Sequence, residues 1–297
     1  MARGCACSRG AACVGRTLGV QAVVPLNLSH DFLGRRALIK GLFDLKGRVV
    51  LITGGNGGIG LGFAEGVAAQ GADVCIWGTN PDKNAAALRV LSAYGTHVSA
   101  KLCNVADEQA VVQTFAETLN EFGRVDGAFA NAGVGGGGAN FEDMTEGAWH
   151  RLLSVNLDGV FYTLRAAAGH MKARAQAGDA FGRLVCTSSL AAISGQARGQ
   201  HYAASKGALI AMVKALAVEY ARHGITAHTV LPGWIATEMT QGAMGNPKFV
   251  DNVMKRIPVR RWGEGADFSG IAAYIMSSAS SYHTAETFLI DGGYANF

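Results

Sequence analysis

The sequence predicts an α/β fold: a single doubly wound domain whose central parallel sheet of about seven strands is flanked by helices. Three observations carry this expectation. From Leu45 onward, short Val/Ile/Leu/Ala-rich runs alternate with longer amphipathic segments, as in successive βαβ units. The apolar runs are nearly uniform along their length, as strands covered on both faces must be. With 297 residues, 41 Gly and only 5 Pro, the chain is long enough to bury a full core and is suited to many close backbone approaches.

The strand candidates in order are Val49 to Thr53, Asp73 to Trp77, Ser99 to Cys103, Gly127 to Ala130, Arg183 to Ser188, Thr226 to Leu231 and Thr287 to Ile290. Between them the spacing predicts helices over Gly60 to Gln70, Pro81 to Ala93, Asp107 to Phe122, Glu146 to Ala173, Tyr202 to Arg222, Pro247 to Ile257 and Ala266 to Ser277. Gly71 and Gly95 fall where helix ends call for a left-handed cap. The glycine run Gly135 to Gly138 reads as a loop rather than a linker, because the βα alternation continues through it unchanged.

Residues 1–44 differ from the rest. Arg3, Arg9, Arg16, Arg35 and Arg36 stand against Asp31, the single acid before Asp44, and no apolar periodicity is sustained. Ser and Thr are sparse and Pro25 interrupts the short apolar run from Val20 to Leu28, so a leader outside the folded unit is expected rather than a transit peptide. The catalytic domain is expected over residues 45–297. The formal charge of +4 owes much to this leader, and no nucleic-acid footprint is assigned. No stretch reaches the roughly 18 apolar residues of a membrane helix, and a cytoplasmic protein is expected. Cys5, Cys7 and Cys13 lack a fourth ligand at metal spacing, while Cys75, Cys103 and Cys186 lie in apolar runs and read as core residues, so no metal is expected.

The first strand runs into Thr53-Gly54-Gly55-Asn56-Gly57-Gly58-Ile59-Gly60 and then a helix. Glycines there let the backbone approach a pyrophosphate, and the helix start offers unpaired N–H groups and the positive dipole end. The second strand ends at Trp77-Gly78-Thr79-Asn80 without the acid that would bind ribose hydroxyls and repel a 2′-phosphate; Thr79, Asn80 and Lys83 offer donors instead. Ala130-Asn131-Ala132-Gly133 closes the fourth strand, where small residues admit a ring and Asn131 can tie neighbouring strands together.

Tyr202-Ala203-Ala204-Ser205-Lys206 opens a long helix, and i,i+4 spacing places phenol and ammonium on one face. An ammonium so placed is expected to lower the phenol pKa and make Tyr202 an acid/base group. Ser188 and Ser189 end the preceding strand at the edge where open α/β sheets bind ligands, and chain position alone does not separate them. His201 borders the site only as the neighbour of Tyr202. Trp234, Met239, Met244 and Phe249 are candidates either for an apolar substrate lid or for ordinary helix packing.

These ordered motifs, spanning Leu45 to Phe297, resemble the short-chain dehydrogenase/reductase family. Thr53-Gly54-x-x-x-Gly58-x-Gly60 matches its cofactor loop, Asn131-Ala132-Gly133 its central motif and Tyr202-x-x-x-Lys206 its catalytic pair. Pro232-Gly233-Trp234-Ile235-Ala236-Thr237 matches the stretch holding the nicotinamide carboxamide, and Asp291-Gly292-Gly293 the last strand. The resemblance implies a Rossmann-type domain, an NAD(P)-dependent oxidoreductase of secondary alcohols and ketones, and a catalytic set of Asn156, Ser189, Tyr202 and Lys206. It points to Ser189, thirteen positions before Tyr202, and gives Asn156 the role of holding a water that links Lys206 to solvent.

The implied cofactor contacts are Gly54, Asn56, Gly58, Ile59, Gly60, Thr79, Asn104, Val105, Asn131, Ala132, Gly133, Tyr202, Lys206, Pro232, Gly233, Ile235 and Thr237, with NADP or NAD bound and a lean toward NADP. Asn104-Val105 stands where the family often has Asp-Val, and Ala285 where a glycine is frequent; only a local backbone adjustment is expected at Ala285. A small-molecule substrate and a homotetramer or homodimer are implied. The alternatives are a 3-oxoacyl-thioester reductase, although no basic patch for an acidic carrier is evident, and a non-catalytic nucleotide-sensing protein on the same fold.

Overall fold

The computed structural model describes Met1 and residues 41–296. The expected leader, with Cys5, Cys7 and Cys13, lies outside the described residues except for Met1 and its last four positions. Those four belong to the folded unit: residues 41–43 form a turn, and the Leu42 carbonyl accepts from the Ser278 N–H (3.1 Å).

Seven parallel strands form one sheet: β1 (Val49–Thr53), β2 (Asp73–Gly78), β3 (Val98–Leu102), β4 (Gly127–Ala130), β5 (Gly182–Thr187), β6 (Ile225–Pro232) and β7 (Thr287–Ile290). Their spatial order is β3-β2-β1-β4-β5-β6-β7, so the winding reverses between β1 and β4. Crevices at such a switch point, beyond the carboxyl ends of the strands, are where open α/β sheets bind ligands. The inner strands β1, β4, β5 and β6 are buried along their whole length. The edge strands β3 and β7 are only half covered, which corrects the expectation of uniform burial; an edge strand has a neighbour on one side only.

The helices are α1 (Gly58–Ala68), α2 (Pro81–Leu91), α3 (Glu108–Phe122), α4 (Glu146–Leu153), α5 (Gly159–Gln176), α6 (Ala191–Ser194), α7 (Gln200–Tyr220), α8 (Gln241–Met244), α9 (Pro247–Arg256) and α10 (Ser269–Met276). On one face of the sheet Val111 and Phe115 of α3, Leu164 and Met171 of α5, and Leu209 and Val213 of α7 pack with Leu51, Ala128 and Leu184. On the other face Phe63 and Val67 of α1, Leu91 of α2, and Ile275 and Met276 of α10 pack with Ile52, Ile76 and Val185. Helices on both faces make the sheet doubly wound. Cys75, Cys103 and Cys186 are buried, and burial pushes the Cys75 thiol up to about 11 and that of Cys186 up to about 12, inert as nucleophiles.

Two local expectations need correction. The helix over Glu146 to Ala173 is not continuous: a π-helical turn, Ser154–Asp158, separates α4 from α5. Asn156 lies in that turn with its amide committed to the Val134 backbone, and an extra residue per turn lets it reach across. Ala285 does not adjust its backbone. It keeps a glycine-like φ of +65°, where a Cβ meets its own carbonyl, while its N–H donates to the Ala227 carbonyl (2.8 Å). Gly71 and Gly95 do take positive φ, 93° and 74°. No helix among the described residues is long and apolar enough to cross a membrane.

Candidate active site

The end of β1 is tied to its neighbours by small polar side chains. Thr53 Oγ1 accepts from the N–H groups of Asn131 and Ala132 (both 3.0 Å), Asn131 Nδ2 donates to the Thr53 carbonyl (3.2 Å), and Thr187 Oγ1 donates to Asn131 Oδ1 (3.0 Å). Thus β1, β4 and β5 end in one hydrogen-bonded seam directly under the switch point. The chain then turns through Gly54 (φ +64°) and Gly58 (φ +49°) into α1. At Gly58 a Cβ would also meet Thr237 Cγ2 at 2.9 Å, so both conformation and space require glycine. No side chain caps α1 and its first turn holds no acid, which leaves its N–H groups and dipole to an anion. Ile59 and Gly60 lie in that first turn.

Around the end of β2, Asn56 Nδ2 donates to Asn84 Oδ1 (2.7 Å), and buried Asn84 in turn donates to the carbonyls of Gly78 (3.4 Å) and Lys101 (3.3 Å). Asn84 escaped the sequence reading. Its signal was a polar residue in the buried stripe Asn84, Ala87, Leu91 of α2. Asn80 caps α2 by accepting from Lys83 N–H (3.0 Å), Thr79 is exposed, and the Lys83 ammonium pairs with Glu238. Past β3, Asn104 Oδ1 accepts from Ala106 N–H (3.2 Å) and Val105 is buried.

The proposed proton-transfer groups converge at the ends of β4 and β5. Lys206 is buried, and its ammonium donates to the Thr187 carbonyl (2.8 Å). Burial lowers its pKa to about 8. Ser188 Oγ donates to the Lys206 carbonyl (2.8 Å) and is thereby spent on α7, whereas Ser189 faces the phenol of Tyr202 and accepts from Ala191 N–H (3.1 Å). The phenol itself departs from expectation: burial pushes its pKa up, with the Ser189 hydroxyl pulling the other way. The reason is geometric, because the ammonium is turned toward Thr187 and lies 5.7 Å from the centre of the Tyr202 ring.

Asn156 Oδ1 accepts from Val134 N–H (2.8 Å) and its Nδ2 donates to the Val134 carbonyl (2.9 Å). Asn156 thus commits one donor and one acceptor position of its side-chain amide to the Val134 backbone. It holds Gly133 in place: a Cβ there would lie 3.2 Å from Asn156 Oδ1 and 3.4 Å from Lys206 Nζ. The next glycines form a loop against the site. At Gly136 a Cβ would meet Tyr202 Cβ at 2.7 Å and His201 Cε1 at 3.0 Å, and Gln196 Nε2 donates to the Gly136 carbonyl (3.0 Å). His201 is buried there with no partner for Nδ1 among the described residues.

The segment Pro232-Gly233-Trp234-Ile235-Ala236-Thr237 leaves β6 and is anchored by Ala236 N–H to the Gly263 carbonyl (2.8 Å) and Gly263 N–H to the Trp234 carbonyl (2.9 Å). Trp234 packs edge-on against Phe249, Trp262 and Tyr294, so Trp234 and Phe249 serve packing. Met239 is exposed and approaches Gly135, within 3.3 Å of where a Cβ would sit, and Met244 is exposed beside it in the chain. A cavity of about 240 Å³ bounded by Trp234, Val259, Arg261, Asp267 and Asp291 contains none of the tetrad and is not the reaction cleft.

A family model described as enoyl-(acyl carrier protein) reductase matches residues 54–295. Gluconate 5-dehydrogenase of Gluconobacter oxydans is 33% identical over 252 residues, 85% of this chain and 96% of the relative. The 3-oxoacyl-(acyl-carrier-protein) reductase of Chlamydia pneumoniae is 34% identical, over 84% of this chain and 97% of its own length. A solved structure of a gluconate 5-dehydrogenase from Burkholderia cenocepacia, in complex with NADP and tartrate, superposes with a TM-score of 0.80 at 33% identity, covering 86% of this chain and 98% of the other.

Proposed function

The chain belongs to the short-chain dehydrogenase/reductase family and is an NAD(P)-dependent oxidoreductase of CH–OH groups, and we propose that Ser189, Tyr202 and Lys206 carry its chemistry with Asn156 as a positioning residue. The observation that carries this reading is the convergence of Ser189, Tyr202 and Lys206 beside the glycine turn, at the switch point of the sheet. The cofactor fits the residues present. The uncapped start of α1 suits a pyrophosphate, and the buried Lys206 ammonium has two N–H donors beyond the one bonded to Thr187 with which to hold ribose hydroxyls.

When bound, the nicotinamide gives or takes the hydride. Ser189 donates a hydrogen bond to the substrate oxygen and polarises the carbonyl. Tyr202 gives that oxygen its proton in reduction and takes it in oxidation. A phenol pushed up by burial stays protonated at neutral pH and so holds the proton that reduction consumes, although burial also makes it a weaker acid; in the reverse direction the Ser189 hydroxyl is the neighbour that stabilises its anion. Asn156 fixes Val134 and Gly133, the wall against which the ring would lie. The Gly135–Gly138 loop and Met239 bound the substrate side.

The substrate class we favour is a small polyhydroxylated ketone or secondary alcohol, in line with the gluconate and sorbose names of relatives matching over nearly their full length. A 3-oxoacyl thioester is the second reading, favoured by the relative from Chlamydia pneumoniae. Kinetics with sugar acids, ketoses and acetoacetyl thioesters separate the two. We further propose a cytoplasmic homo-oligomer, most simply a tetramer, supported by the exposed apolar residues Phe161 on α5 and Val112 on α3; light scattering that returned a particle near the monomer mass of 30.8 kDa would overturn it.

Tyr202→Phe tests the chemistry. Turnover is expected to vanish while NADPH binding, read by nicotinamide fluorescence, stays within about threefold. Residual activity above about a tenth, a barrier change below about 1.4 kcal/mol, would remove Tyr202 from the acid/base role.

A further inference from the structure

The sheet order places β6 four positions from β2, with β1, β4 and β5 between them. Yet Lys83, in the first turn of α2 just past β2, is ion-paired with Glu238, which directly follows Thr237 beyond β6. The pair exists only because the chain after β6 swings back across the strand ends. Thr237 rests on Gly58, within 2.9 Å of where its Cβ would be, and Ala236 is bonded to Gly263. Glu238 is held in position by its own turn: Thr240 Oγ1 accepts from Thr237 N–H (3.0 Å) and donates to the Ile235 carbonyl (2.5 Å).

The strap therefore crosses above the Gly57–Gly58 turn that a pyrophosphate would occupy, and its far end is fastened to the helix whose first turn carries Asn80 and Lys83. A dinucleotide lying from α1 toward the end of β2 would run beneath Thr237 and Glu238. Both side chains of the fastener are solvent-accessible, and among the described residues neither makes a second ion pair. Lys83 is also the cation next to Thr79 and Asn80, where a 2′-phosphate would sit. Nothing in the glycine loop supplies another, since Asn56 is turned onto Asn84.

We infer that Lys83 and Glu238 form a clasp over the cofactor groove that slows dinucleotide release, and that the 2′-phosphate of NADP competes with Glu238 for Lys83. NAD, without that phosphate, leaves the clasp shut; NADP loosens it while gaining a charged contact. One ammonium thus links cofactor choice to the mobility of the strap. The inference rests on the reading that this groove takes NAD(P).

The two cofactors give the clasp opposite signatures in its two halves. Glu238→Gln breaks the clasp but frees Lys83, so in the full-length protein NADH release, followed by stopped-flow fluorescence, is expected to quicken about threefold while NADPH binds about threefold more tightly, the range of an exposed ion pair. Lys83→Met breaks the clasp and removes the phosphate partner, so NADH release quickens alike but NADPH binds about tenfold more weakly. The charge swap Lys83→Glu with Glu238→Lys restores slow NADH release, and the wild-type advantage fades between about 0.05 and 0.5 M salt.

A purely structural contact would move both variants in the same direction for both cofactors, and that result overturns the clasp. Unchanged NADH release in Glu238→Gln overturns it as well. A wild-type protein that binds neither NADH nor NADPH would instead bring down the cofactor reading itself, and the clasp with it.

Discussion

Replacing Lys206 by Met is expected to stabilise the fold while destroying activity. The ammonium is buried in a site built for a ligand, and its pKa falls from an ordinary 10.5 to about 8 through desolvation. That depression corresponds to a cost on the order of 3 kcal/mol for keeping the charge in the folded chain at pH 7. Removing the amine leaves the Thr187 carbonyl without its donor, a loss of about 1–3 kcal/mol. The balance favours Met by up to about 2 kcal/mol, at most a few degrees in Tm for a chain of this size.

The pH dependence gives the sharper test. Because the folded pKa lies below the unfolded one, the unfolded chain holds the proton between pH 8 and 10.5 when the native chain has released it, so wild-type stability rises with pH across that window. From pH 7 to pH 9 the rise from this group is on the order of 1 kcal/mol. Lys206→Met lacks the group, so its advantage at pH 7 is expected to shrink by that amount at pH 9. Guanidinium unfolding of both proteins at equal concentration and at both pH values measures it. A Met variant less stable than wild type at pH 7, with a difference unchanged at pH 9, would refute the argument.

Two other perturbations follow from the backbone. Ala285→Gly relieves the left-handed strain at φ +65° and is expected to raise stability by about 0.5–1 kcal/mol after the greater unfolded-state entropy of glycine is subtracted, with kcat unchanged; a lower unfolding midpoint would contradict it. A protein beginning at Gly41 is expected to keep the melting temperature and activity of the full chain, because no strand or helix pattern is read before Leu45 and, among the described residues, Leu42 and Leu45 already join the folded unit; a loss of several degrees would show that residues 1–40 contribute to the core.

Much of this protein was written in local pattern. Uniform apolar runs must be inner strands because only burial on both faces suits them, and the runs for β1 and β4 match the observed strands end to end. The glycine turn and Tyr202 with Lys206 were legible because each needs a fixed short spacing. What the sequence left open was decided by where side chains turn in three dimensions. Ser188 and Ser189 are equivalent in chain position, but only packing against α7 spends the Ser188 hydroxyl on the Lys206 carbonyl. Spacing placed an ammonium beside the Tyr202 phenol, whereas the Thr187 carbonyl draws it aside and burial raises the phenol pKa. Asn156 looked like one residue of an unbroken helix until its bond to Val134, 22 residues away in the chain, opened a π turn. Lys83 and Glu238 are 155 residues apart and meet because the chain after β6 crosses three strand ends. Local spacing encodes which groups share an element, while the direction and charge state of those groups depend on neighbours that only the folded chain assembles.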